Sequence, residues 1–197
     1  MFRPSFATQA LKKQMFSARS FSVKVGDALP SAHVSILKHS GDDKGFSNEI
    51  VDTQEYFANK SVVIIGIPAA FSPTCQNQMV PDFISNSTKI RSAGIDEVLT
   101  LSVNDPFVMT AFGETMGGGE HMGYVADGNG EFTQALGNVL DLSAVQLGHV
   151  RSPRFTMIVK NNTIVELNNE GGPAYTDVSK PATVLSQLGI NKQWAVI

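Results

Sequence analysis

The chain has 197 residues, 42% hydrophobic and 17% charged, a composition typical of one globular domain with a sizeable core and room for a short appendage. Its single cysteine excludes an intramolecular disulfide, so any disulfide must join the chain to a partner, a second copy or a small thiol. It has no run of about 20 apolar residues, so no membrane-spanning helix is predicted.

The first 22 residues differ in charge from the rest of the chain. They contain no Asp or Glu and four basic residues: Arg3, Lys12, Lys13 and Arg19. Since the whole chain carries −3 and residues 1–22 carry +4, residues 23–197 carry −7. The basic, serine-containing segment predicts a mitochondrial transit peptide over residues 1–22 that is removed, with a disordered basic tail as the alternative. The acidic remainder argues against nucleic acid as the main partner.

Apolar patterns predict six β-strands: residues 32–37, 61–67, 98–103, 122–126, 155–160 and 163–167. The second and third of these are continuous apolar runs, as expected for strands that are covered on both faces. The last two flank Asn161 and Asn162. Because Asn tolerates left-handed backbone geometry, this pair predicts a two-residue hairpin turn.

Four helices are predicted between or after these strands: residues 75–92, 106–116, 131–136 and 179–188. Pro81 must kink the first helix or end its first part. Asn104 or Asp105 can cap the second helix, and Ser179 is predicted to cap the last, with Pro181 in its first turn. Alternating strands and helices predict an α/β domain with a mixed sheet and helices on both faces.

Cys75 stands at the junction between a predicted strand and a predicted helix. A lone cysteine is often an inert buried hydrophobe, but the prolines and hydroxyls around this one favour an exposed site. First-turn N–H groups around Thr74 and Cys75 favour an anion, which makes a thiolate accessible near neutral pH. The Ser72 hydroxyl is placed to hold the sulfur and a substrate oxygen, and Pro68 to shield them from solvent.

The spacing Pro68-x-x-x-Ser72-x-x-Cys75 resembles the active-site motif of the peroxiredoxins. The sequence PAAFSPTC is similar to that of the type II peroxiredoxins. This atypical group includes peroxiredoxin-5-like proteins and fungal alkyl-hydroperoxide-reductase-like proteins. Further similar segments are VGDALP at 25–30, LSVND at 101–105 with Phe107, AD at 126–127 with Gly130 and Phe132, and RFTMIV at 154–159. The resemblance covers residues 23–190 and implies a thioredoxin-like fold with a central mixed β-sheet.

The resemblance also implies a role for each matching residue. Cys75 takes the place of the peroxidatic cysteine, and Ser72 stands where the family usually has Thr. Arg154 is interpreted as the active-site arginine in preference to Arg151, because the strand pattern begins there. Pro68 is expected to shield the site.

The activity implied is that of a thiol peroxidase, in cell redox homeostasis and oxidative stress defence. It reduces hydrogen peroxide and organic hydroperoxides through a Cys75 sulfenic acid, without a metal or organic cofactor. A non-catalytic thioredoxin-fold redox sensor or chaperone is the alternative. The family also forms non-covalent dimers, so a homodimer is expected.

The chain departs from many type II members because it has no second, resolving cysteine. An external thiol must therefore reduce Cys75: glutathione with glutaredoxin, thioredoxin, or another small thiol. The histidines show no paired ligand spacing, so no metal site is predicted.

Overall fold

Strands in the described part of the chain form one seven-stranded sheet. The computed structural model describes residues 23–41, 45–117, 119–137 and 139–190, so the predicted transit peptide lies outside the described residues. The strands are β1 His33–His39, β2 Phe46–Asp52, β3 Ser61–Gly66, β4 Glu97–Ser102, β5 Gly123–Ala126, β6 Phe155–Lys160 and β7 Thr163–Asn169. Their order is β2-β1-β5-β4-β3-β6-β7. Since β3, β4 and β5 are parallel and the other pairs antiparallel, the predicted mixed sheet is confirmed.

Five α-helices accompany the sheet in the described residues: α1 Thr53–Phe57, α2 Val80–Ser92, α3 Pro106–Met116, α4 Glu131–Ala135 and α5 Pro181–Gln187. A π-helical turn, Cys75–Met79, leads into α2. The Asp105 carboxylate caps α3 by accepting from two backbone N–H groups. The prediction that Ser179 caps the last helix was wrong. Lys180 is the N-cap of α5, and the Ser179 hydroxyl donates to Glu170 instead.

Sequence patterns did not predict β2 and α1. Four consecutive residues of β2 are exposed, so this edge strand lacks the apolar alternation that predicts a half-buried strand. Helix α1 has only five residues, and its clearest signal is the Asp52 carboxylate, which accepts from the N–H groups of Gln54 and Glu55. Strand β2 pairs with β1, and α1 follows β2 directly and places Phe57 in the core, so neither element is specified by a strong local pattern.

The core lies on both faces of the sheet, as predicted for covered strands. Val63 and Ile65 of β3 pack on one face together with α2, α3 and α5. Val62 and Ile64 face the other side, towards α1 and α4. Full burial of a Val or Ile side chain contributes about 1.5–3 kcal/mol, so the alternating apolar residues of β3 stabilise both layers.

The β6–β7 hairpin turns at the predicted residues. Asn161 and Asn162 both have positive φ, at 46° and 62°. This is the left-handed geometry that a two-residue turn requires, so the sequence prediction is confirmed.

The antiparallel pairing of β3 and β6 determines what lies near the end of β3. Gly66, the last residue of β3, pairs with Phe155, the first residue of β6. A Cβ on Gly66 would lie 2.1 Å from the Phe155 ring, so only glycine fits there without displacing that ring. This register brings Arg154 beside the end of β3, where the loop to Cys75 begins.

Candidate active site

Cys75 lies in the first turns of the helical segment that follows β3. Helical backbone begins at residue 73, and the π-helical turn closes when the Val80 N–H donates to the Cys75 carbonyl. Such single π turns occur often at functional sites. The expectation that Cys75 is exposed was wrong, because its side chain is 0% exposed and packs within the core. In the loop before Cys75, Phe71 has a left-handed conformation, φ 61°.

The loop before Cys75 is fastened to the end of β4. The Asn104 side-chain oxygen accepts hydrogen bonds from the Ala70 N–H at 3.2 Å and the Ser102 hydroxyl at 2.7 Å. The Ile67 N–H donates to the Leu101 carbonyl at 2.9 Å. Asn104 was considered as a helix cap, but its side chain holds the active-site loop while Asp105 caps α3.

Arg154 reaches the sulfur of Cys75 from the start of β6. Its side chain is 1% exposed, and its Nη2 lies 3.5 Å from Cys75 Sγ. Its Nη1 lies 3.1 Å from Met79 Sδ, and its Nε donates to the Pro173 carbonyl at 3.0 Å. Because the guanidinium is planar, contacts at three nitrogens fix its orientation.

The segment after β7 supports the buried arginine. The Tyr175 ring lies 5.7 Å from the guanidinium carbon of Arg154, and its hydroxyl donates to the Asp82 carboxylate at 2.8 Å. Burial, together with that hydrogen bond, raises the pKa of Tyr175 above its ordinary value. The backbone of Arg154 is also held, since its N–H donates to the Gly172 carbonyl.

Ser72, Pro68 and Thr74 lie in the loop that leads to Cys75. Pro68 is buried, and Ser72 and Thr74 are half-buried. The Ser72 hydroxyl donates to the Ala69 carbonyl at 3.0 Å, so its proton is engaged while its oxygen can accept a further proton donor. The Thr74 side chain makes no cap hydrogen bond, and the N–H groups of Thr74 and Cys75 lie in the first helical turn.

Arg151 has a different environment from Arg154. Its guanidinium donates to the Leu147 carbonyl and, at 2.7 Å, to the Val103 carbonyl. None of its described hydrogen bonds involves Cys75. The sequence-based preference for Arg154 over Arg151 therefore agrees with the positions of the two side chains.

Comparisons with known proteins identify the family. A family model described as Redoxin matches residues 24–185. Peroxiredoxin-2D of Arabidopsis thaliana is 39% identical over 166 residues, covering 84% of this chain and 98% of that protein. The chain belongs to the peroxiredoxin family.

Two further Arabidopsis relatives are named for organelles. Peroxiredoxin-2F, mitochondrial, is 34% identical over 87% of this chain and 88% of its own length, and Peroxiredoxin-2E, chloroplastic, is 38% identical over 80% and 66%.

Solved peroxiredoxins share the fold. Reduced Prx3 from Vibrio vulnificus, in complex with H2O2, has a TM-score of 0.73 and 34% identity over 84% of this chain and 99% of that one. The Plasmodium falciparum antioxidant protein, a 1-Cys peroxiredoxin, has a TM-score of 0.74 and 28% identity over 84% and 99%. The thioredoxin-like fold is thereby confirmed, and this peroxiredoxin is a thiol-dependent peroxidase.

Sequence reasoning missed three residues that contact Arg154: Met79, Pro173 and Tyr175. Met79 carried a usable signal, because residues four apart in a helix share a face and Met79 follows Cys75 by four. Pro173 and Tyr175 lie in a segment without periodicity, so only the folded chain reveals their contacts with the arginine.

A cavity of about 310 Å³ lies at the start of β4 and β5, and so at the opposite end of the parallel strands from the loop that follows β3. Its lining includes Glu97, Val98 and Gly123. Within the described ranges, no cluster of three or more His, Cys, Asp or Glu side chains could hold a metal ion. None of the helices described here has the length and apolarity needed to cross a membrane.

Proposed function

We propose that Cys75 is the nucleophile of this peroxidase and that Arg154 stabilises its charge. The contact of 3.5 Å between Arg154 Nη2 and Cys75 Sγ, two buried side chains, carries this proposal. The thiolate attacks the terminal oxygen of a hydroperoxide and the O–O bond breaks. The other oxygen leaves, takes up a proton and becomes water or an alcohol, while Cys75 becomes a sulfenic acid.

Charge moves from the sulfur to the leaving oxygen during this step, so donors near both atoms accelerate it. Arg154 supplies N–H groups that remain charged at any working pH. The backbone N–H groups of Thr74 and Cys75 supply fixed dipoles. Because the Ser72 hydroxyl donates its hydrogen bond to the Ala69 carbonyl, its oxygen is able to accept a hydrogen bond from the hydroperoxide O–H. Pro68 closes the site against bulk water.

An external thiol completes the cycle, because the chain has no second cysteine. The sulfenic acid condenses with this thiol to a mixed disulfide and water, and a second thiol releases Cys75. Glutathione with glutaredoxin, or thioredoxin, is the proposed reductant. The likeness to a solved 1-Cys peroxiredoxin supports a one-cysteine cycle.

The decisive experiment compares peroxide consumption by wild type and Cys75→Ser with each reductant system in turn. We expect consumption with one system for wild type and none for Cys75→Ser. Equal consumption by both proteins would contradict the assignment of Cys75, and would leave the sensor or chaperone role as the alternative. Without a resolving cysteine, Cys75 should over-oxidise when thiol is absent. Mass spectrometry after a peroxide pulse without thiol should therefore show Cys75 as sulfinic acid, and persistent reduced Cys75 would contradict this over-oxidation.

We also propose that this type II enzyme is mitochondrial and that residues 1–22 form the transit peptide. The acid-free basic composition of this segment supports the proposal, as does similarity to a relative named mitochondrial. The relative named chloroplastic makes the compartment a question for experiment. Import into isolated mitochondria, followed by N-terminal sequencing, tests it, and a product that keeps residues 1–22 would contradict cleavage near residue 22.

A non-covalent homodimer is proposed through the surface that carries Phe71 and Phe107. Phe107 is 83% exposed and Phe71 is 43% exposed. The Ala70–Asn104 hydrogen bond joins the loop that carries Phe71 to the segment just before α3, whose second residue is Phe107. A contiguous exposed apolar patch is typical of protein interaction sites. Phe132, which follows the similar segment at 126–127, is fully buried and belongs to the core rather than to this surface.

A further inference from the structure

We propose that Met79 is a positioning residue for the peroxidase reaction. Its thioether sulfur holds the Arg154 guanidinium in the orientation that presents an N–H group to Cys75 and to the hydroperoxide. The inference rests on the proposed function of Cys75 and Arg154, and it adds a third side chain that acts through the arginine rather than on the substrate.

The contact is short and fully buried. Met79 is the last residue of the π-helical turn that begins at Cys75, and its side chain is 0% exposed. Its Sδ lies 3.1 Å from Arg154 Nη1, while the neighbouring Nη2 faces Cys75 Sγ. Because the five donors of a guanidinium lie in one rigid plane, fixing Nη1 and Nε determines the direction of Nη2.

The kind of atom that holds Arg154 matters as much as the distance. No ion pair between Arg154 and a carboxylate is found among the described residues. A thioether is a weak and uncharged acceptor, so Met79 orients the guanidinium without offsetting its positive charge. The charge remains effective for the sulfur of Cys75 and for the leaving oxygen, in a buried site where electrostatic interactions are strong.

A packing role for Met79 makes the opposite predictions. Met79 touches the same apolar core as Phe83 and Ile90, and methionine often fills core gaps. If only volume mattered, Met79→Leu would preserve activity and Met79→Gln would impair it. If the acceptor matters, Met79→Leu impairs activity and Met79→Gln preserves it, because the amide oxygen can accept from Nη1.

The experiment measures kcat/KM for hydrogen peroxide across pH 5–9, with saturating reductant, together with the melting temperature. The variants are Met79→Leu, Met79→Gln and the control Met109→Leu, a buried methionine of α3 without a described contact to Arg154. We expect kcat/KM about tenfold lower for Met79→Leu, which equals about 1.4 kcal/mol of transition-state stabilisation. Met79→Gln should remain within about threefold of wild type, and Met109→Leu should match it.

Two outcomes overturn the proposal. In the first, Met79→Leu has the same kcat/KM and pH profile as Met109→Leu. This comparison tests the proposal even if Met79→Gln does not fold. The other is a folded Met79→Gln that loses as much kcat/KM as Met79→Leu. Neither outcome depends on the proposed function, which fails separately if Cys75→Ser retains activity.

Discussion

Arg154 carries a full charge in a place that water barely reaches. Its side chain contacts a carbonyl, two sulfur atoms and an aromatic ring, and no carboxylate among the described residues pairs with it. Desolvating a charge without compensation is costly, so such an arrangement is expected where the charge has a function. The function we propose for this charge is attraction to the thiolate and to the leaving oxygen.

Replacing Arg154 by Lys should lower kcat/KM for peroxide by about a hundredfold or more, the usual effect of removing one preorganised donor to a developing negative charge. Lysine keeps the charge but lacks the planar fork that reaches Met79 and Cys75 together. The control is Arg151→Lys. In the described structure, the Arg151 guanidinium donates hydrogen bonds to backbone carbonyls and not to Cys75. Similar losses in the two variants would argue against a specific role for Arg154.

The segment between β7 and α5 folds around one carboxylate. Glu170 accepts hydrogen bonds from the N–H and the hydroxyl of both Thr176 and Ser179, at 2.7–3.2 Å. This segment also carries Pro173 and Tyr175, which hold the guanidinium. Burial alone would raise the pKa of Glu170, but these hydrogen bonds outweigh it and hold the pKa below its ordinary value of 4.5.

Stability should depend on pH through Glu170. Because its folded-state pKa is lowered, the carboxylate stabilises the fold fully above about pH 5 and loses that contribution as pH falls through the folded pKa. We expect Glu170→Gln to unfold at lower denaturant concentration than wild type at pH 7, with the difference shrinking as pH falls towards 3. A difference that does not change with pH would contradict a role for the ionised carboxylate.

Two exposed apolar side chains allow the proposed dimer to be tested. Phe107 lies in the first turn of α3, near the loop that leads to Cys75, and Ile50 lies on the edge strand β2; they are 83% and 73% exposed. A negative charge introduced inside an apolar interface is destabilising because it is desolvated without a partner. We expect Phe107→Glu to sediment as a monomer in analytical ultracentrifugation, while Ile50→Glu sediments as the wild-type dimer. A dimeric Phe107→Glu protein would place the interface elsewhere.

Much of the fold could be predicted from local sequence. The Asn161-Asn162 turn and the capping of α3 by Asp105 depend on residues only a few positions apart. The apolar runs of β3 and β4 were recognised for a similar reason, since burial on both faces requires continuous apolar residues. Local patterns failed for β2, which is polar and exposed, and at Ser179, whose hydroxyl binds Glu170 rather than a helix N-terminus.

Local sequence was enough to indicate the chemistry of this protein, because the motif of Pro68, Ser72 and Cys75 resembles that of the peroxiredoxins and the chain has no second cysteine. The burial of Cys75 and the contact of Met79 with Arg154 became evident only from the folded chain. The physical reason is distance along the chain: pairing of Gly66 with Phe155 brings Arg154 to Cys75 across 79 residues, and such pairing depends on the whole sheet rather than on neighbouring residues.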